Sequence, residues 1–139
     1  MVDLSIAQRG IGSRWDSLIL ATAGDAATAA IVKAIIARES AWVETARNPT
    51  DPSTGLMQIL VGARGPYPAM SEETIADPAT NIILGTQFLR GLLSRHAEPE
   101  AISAYNQGEG GLARNGIINR GYVDDVQGYQ VWYVNNDPL

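Results

Sequence analysis

The run Ala26–Ala37 constrains this 139-residue chain most. It is the longest stretch of low polarity, interrupted only by Thr28 and Lys33. It is too short to span a bilayer, which takes about 20 apolar residues. Ile31, Val32, Ile35 and Ile36 stand at i, i+1, i+4 and i+5, the spacing of one helix face. Asp25 is a good N-cap for that helix, and Gly24 ends whatever precedes it. A core helix is therefore expected here, running into Arg38-Glu39-Ser40-Ala41-Trp42.

Other helical signals surround it. Trp15, Leu18, Ile19 and Leu20 predict a helix over Gly12–Ala23. Two prolines and Gly55 make Asn48–Gly55 a loop, and Gly62–Pro68 reads the same way. Between them lies a short apolar run, Leu56-Met57-Gln58-Ile59-Leu60-Val61. Asp77 as cap and Pro78 at the first position open a further helix, with Ile82, Ile83, Phe88, Leu89, Leu92 and Leu93 as its apolar stripe. Glu98-Pro99 opens another, through Tyr105. Asn106–Gly111 reads as a Gly-rich loop, and a last helix is expected from Gly121 to about Val134. Strand signals are weak. The expected fold is mainly α, with little or no β, as one domain over 1–139. Residues 1–24 form an N-terminal helical extension packed on it.

What is missing narrows the chemistry. With no cysteine there is no disulfide, thiolate metal site or cysteine nucleophile. One histidine, His96, is too few for an ordinary zinc hydrolase site. His96 also sits where a helix ends, and a cation there suits the helix dipole. The net charge is −5, from 10 basic and 15 acidic residues, and no basic run occurs, so nucleic-acid binding is not expected. What remains for hydrolytic chemistry is carboxylates. No metal or organic cofactor is implied.

Glu39 is the first candidate. An acid among apolar groups loses hydration, so its pKa rises and it can stay protonated near neutral pH. The alternative is a surface glutamate at a helix end. Gln58, a lone amide in an apolar run, could hold a loop or bind an amide-bearing ligand. Tyr105-Asn106, beside Gly108, Gly110 and Gly111, suits a sugar site or a helix C-cap. Tyr122 and Tyr129 are seven apart on the last helix and share a face, with core packing as the default.

Together these pieces say more than any one of them. Glu39-Ser40, Gly55-Leu56-Met57-Gln58-Ile59, Ala104-Tyr105-Asn106 and Gly121-Tyr122-Val123 occur in an order that resembles the lytic transglycosylases. The helix from Asp77-Pro78-Ala79-Thr80-Asn81 to Leu89 is similar to that family's segment between the second and third motifs. The resemblance runs from about Ile31 to Tyr133. It implies a goose-type-lysozyme-like fold with a glycan cleft, and peptidoglycan glycan strands as substrate. Glu39 would be the single acid/base, with Tyr122 placing its hydroxyl by it. Ser40 would support the backbone, Met57 would pack behind Gln58, and Gln58 would bond the sugar near the scissile bond. Tyr105 and Asn106 would line the cleft and hold N-acetyl groups. The product would be a 1,6-anhydromuramyl end, formed without water.

Two departures from the family pattern stand out. The loop before Gly55 is unusual, and Glu109 adds a negative charge expected near the cleft, where it would raise the pKa of Glu39 or repel an anionic substrate. A lysozyme-type hydrolase would need a second carboxylate, about 5 Å away if retaining or about 6.5–9.5 Å if inverting. Leu60-Val61-Gly62 holds no acid, which leaves Asp51. A non-catalytic glycan-binding or phage tail module is a third reading. The N-terminus lacks a basic region ahead of an apolar one, so no secretion signal is read there. That fits a phage endolysin made in the host cytoplasm, or a virion-associated lysin. It would act on the wall as a monomer, without stable membrane insertion.

Overall fold

A computed structural model describes residues 2–139. Eight helices and a small sheet are present among them. The helices are α1 (Leu4–Gln8), α2 (Asp16–Ala23), α3 (Ala26–Ser40), α4 (Glu72–Ala76), α5 (Pro78–Arg95), α6 (Glu98–Gln107), α7 (Glu109–Asn115) and α8 (Arg120–Asn136). The strands β1 (Arg47–Asn48), β2 (Ser53–Thr54) and β3 (Ile59–Leu60) pair antiparallel in chain order, with Arg47 opposite Thr54 and Thr54 opposite Ile59.

The expected core helix is α3, and it is buried on more than one face. Ten of its fifteen residues are buried, because α8 packs along it while α2 and α1 cover other sides. Asp25 caps it through Thr28 N at 2.7 Å. Lys33 is fully buried on α3 and bonds Asp16 Oδ1 of α2 at 2.7 Å and Asp137 just beyond α8. Tyr133 of α8 accepts from Trp42 Nε1 at 2.9 Å and donates to Ala7 O at 2.7 Å. These bonds tie α1, α2, α3 and α8 together. None of the helices among the described residues is long and apolar enough to cross a membrane.

Most predicted helices occur, with three corrections. The first helix begins at Asp16 rather than Gly12, and α1 stands apart from it. Asn106–Gly111 is not a loop, since α6 runs to Gln107 and α7 starts at Glu109. Gly108, at φ +89°, makes the corner between them, and Asn106 is not the C-cap. Glu109 is then held from outside, by Arg95 and by His96 Nε2 at 2.6 Å, which gives so short a Gly-containing helix its footing.

The sheet and the turn after it hang on Asn81, a fully buried residue of α5. Its Oδ1 accepts from Met57 N at 2.8 Å, and its Nδ2 donates to Thr54 O at 2.9 Å and Ile75 O at 2.8 Å. Gly55 makes that approach possible. Its φ of +83° suits glycine, and a Cβ there would lie 2.3 Å from Asn81 Nδ2.

Candidate active site

A cleft of about 430 Å³ opens between the sheet and α6, with Glu39 in its wall. Asn48, Asp51, Gln58, Arg64 and Asn106 line it too, as do Phe88 and Tyr105. Glu39 occupies the last turn of α3, which stops one residue later through Ala41 in the left-handed region (φ +52°).

Glu39 is partly buried, and loss of hydration pushes its pKa from 4.5 up to about 7. The Tyr122 hydroxyl opposes this by donating to Glu39 Oε2 at 2.9 Å, and the Arg38 charge opposes it further. Tyr122 is itself raised well above the usual phenol range, first by burial and then by the nearby Glu39 charge. It therefore stays a donor at any ordinary pH. Arg38 lies over the Tyr122 ring at 5.2 Å and bonds Asp125 Oδ2 at 3.0 Å. The aromatic group against Glu39 is thus Tyr122, not the sequence neighbour Trp42, which faces Tyr133.

Gln58 sits at φ +48°, an uncommon conformation for a residue with a side chain. Its Nε2 donates to Ala46 O at 3.0 Å and Gly55 O at 2.9 Å, which fixes the strained turn and commits its amide hydrogens. Its Oε1 is left for the cleft. Gln58 thus holds its loop, as one of its two readings expects, and its side chain also lines the cleft.

Tyr105 donates to Met57 O at 2.7 Å, so its ring forms cleft wall while its hydroxyl is occupied by the backbone. Burial pushes that hydroxyl well above its usual pKa. Asn106 is exposed on the same wall, its Oδ1 accepting from Asn119 Nδ2 at 2.9 Å. Ser40 and Met57 do not line the cleft. Ser40 Oγ bonds Ile36 O at 3.0 Å inside α3, and fully buried Met57 packs beneath the turn with Thr86 Oγ1 3.8 Å from its sulfur.

The expected effect of Glu109 on the Glu39 pKa is overturned. Glu109 is paired with Arg95 and His96, which hold its carboxyl down at about 2, and it is not among the groups acting on Glu39. Asp51 does line the cleft, exposed, in the loop between β1 and β2. Arg64 lines it as well and was missed, as were Asn81 and Asn119. Single polar residues that act through tertiary contacts carry no periodic signal. Among the described residues there is no cluster of His, Cys, Asp or Glu suited to a metal.

The family model described as transglycosylase SLT domain matches residues 17–123, which include Glu39, the Gln58 turn, Tyr105-Asn106 and Tyr122. No curated protein and no solved structure matches.

Proposed function

From the premise that the chain belongs to the transglycosylase SLT domain family, with its lysozyme-like fold and its peptidoglycan-cleaving activity, we propose that Glu39 is its single acid/base. The scissile bond is the β-1,4 link from N-acetylmuramic acid to N-acetylglucosamine. The observation that carries this is the Glu39 carboxyl itself, set in the cleft wall, raised to about 7 and held by Tyr122 at 2.9 Å.

Protonated Glu39 donates its proton to the glycosidic oxygen as the bond from the muramyl C1 to that oxygen breaks. The N-acetylglucosamine side leaves as an alcohol. Glu39, now a carboxylate, takes the proton of the muramyl 6-hydroxyl while O6 bonds to C1. The product is a 1,6-anhydromuramyl end, and Glu39 is again protonated. Tyr122 stabilises the carboxylate in the second half. Gln58, Tyr105 and Asn106 line the sugar path, while Ser40 and Met57 hold the backbone behind it. No cofactor enters, and the proposed working unit is one domain and a monomer.

A lysozyme-type hydrolase is the second reading, because Asp51 shares the cleft with Glu39. Mass spectrometry of muropeptides released from purified peptidoglycan separates the two. Ends lighter than the hydrated ones by one water (~18 Da) identify the anhydro ring, and Asp51→Asn then leaves the product unchanged. Hydrated reducing ends, lost with Asp51→Asn, overturn the single-carboxylate mechanism. Glu39→Gln abolishes release in either case. Intact glycan from the unmutated protein across several wall types leaves only a binding module.

A further inference from the structure

Asn119 precedes α8 as its N-cap, yet its side chain makes no capping bond. An asparagine at this position ordinarily accepts from the second or third helical N–H. Here the amide reaches α6 instead. Its Nδ2 donates to Ser103 O at 3.1 Å and to Asn106 Oδ1 at 2.9 Å, and its Oδ1 accepts from Ser103 Oγ at 2.6 Å.

The polarity of this cluster is fixed at its ends. Ser103 O is a backbone carbonyl and can only accept, so the NH₂ of Asn119 must face it. On the other side, Gln107 Nε2 donates to Gly116 O at 2.9 Å and to Ser103 Oγ at 2.8 Å. Ser103 Oγ, already an acceptor, spends its hydrogen on Asn119 Oδ1. The Asn106 amide then has one orientation, with Oδ1 turned to Asn119 and Nδ2 left to the cleft. Across the cleft, Gln58 shows the opposite polarity, since its NH₂ is committed and its Oε1 faces outward.

We propose that Asn119 is a positioning residue that sets Asn106 as a hydrogen-bond donor in the cleft, and so sets the preference for a sugar substituent presenting a carbonyl oxygen, an N-acetyl group rather than a free amine. This rests on the reading of the cleft as a glycan site. A protonated sugar amine offers only hydrogens, and they would meet the hydrogens of Asn106.

The experiment compares binding of a soluble β-1,4 oligomer of N-acetylglucosamine with binding of its de-N-acetylated counterpart, by calorimetry, in the Glu39→Gln background. Asn119→Asp keeps the shape but removes the donor. Asn106 then turns its NH₂ to the introduced carboxylate and its oxygen to the cleft. Affinity for the acetylated oligomer is expected to fall about tenfold, and the preference over the amine form to shrink or invert. A merely structural role would lower the affinity for both oligomers alike and leave the preference unchanged. Asn106→Asp, exposed and carrying no fold risk, should give the same loss at pH 7, and Asn119→Asp should add nothing in an Asn106→Ala background.

An unchanged acetyl preference in a folded Asn119→Asp protein, or in Asn106→Asp, overturns the inference while leaving the glycan-cleft reading intact. An equal loss of affinity for both oligomers in Asn119→Asp also overturns it. Failure of the Glu39→Gln parent to bind the acetylated oligomer at all overturns both.

Discussion

At the scale of single residues, the role proposed for Glu39 is set against stability. Its ordinary pKa is 4.5 and its folded value is about 7. Between those values the folded protein binds more protons than the unfolded chain, so stability falls as pH rises through the window. Above it the ionised side chain costs about 3 kcal/mol. Glu39→Gln removes the charge. The variant is expected to melt roughly 5–10 °C above the parent at pH 8.5 and level with it at pH 4. Melting curves at the two pH values decide this, and an equal gap at both would show that ionisation is not the cause. Tyr122→Phe probes the other partner. The lost donor no longer holds the Glu39 pKa down, so the alkaline limb of the kcat profile should move to higher pH while kcat falls. A limb that stays in place would detach Tyr122 from the titration. The end of an apolar helix left Glu39 open to burial or to a surface position, and the sequence alone did not choose between them. Its partner Tyr122 lies 83 residues away and was legible only through the family resemblance, because no local pattern reaches that far. Asn119 was hidden for another reason, since an asparagine before a helix reads as a cap.

At the scale of elements, the elements that were legible are those whose own residues specify them. α3 and α5 carry their caps, Asp25 and Asp77, and their apolar stripes. α7 was not legible, because Gly110 and Gly111 read as helix breakers and its support comes from Arg95 and His96 on a different stretch of chain. The sheet was not legible either, since two-residue strands show no alternation to read. They persist because Asn81 binds both the turn that carries Gln58 and the end of β2. Asn81→Leu would strand Met57 N, Thr54 O and Ile75 O without partners. A loss of about 3 kcal/mol is expected in urea unfolding. Asn81→Asp should cost as much, since it keeps the acceptor for Met57 N but faces two carbonyls with a carboxylate. A loss below about 1 kcal/mol for both would mean that the sheet holds without the clamp.

At the scale of the whole molecule, charge is used in two ways. Inside, Lys33 is the one lysine, fully buried and shared by Asp16 and Asp137, so it fastens α2 to α3 and to the end of α8. Lys33→Met leaves both carboxylates without their cation. A loss of about 3 kcal/mol is expected, recovered in large part when Asp16→Asn and Asp137→Asn are added. Urea unfolding of the single and triple variants reads this, and no recovery would mean that Lys33 acts through packing. Outside, the net charge of −5 opposes an anionic polymer, and Arg14, Arg38, Arg47 and Arg95 are already paired with acids. Screening length falls from about 30 Å at 0.01 M salt to about 8 Å at 0.15 M. Repulsion on approach should therefore fade over that range, and kcat/KM on peptide-bearing wall fragments should rise several-fold. Binding of uncharged oligomers of N-acetylglucosamine should move far less. Among the described residues, Arg64 is the one cation lining the cleft. A rate on peptide-bearing fragments that falls with salt would mean that the local field of Arg64, and not the charge of the whole chain, governs capture, and Arg64→Gln should then abolish the salt dependence.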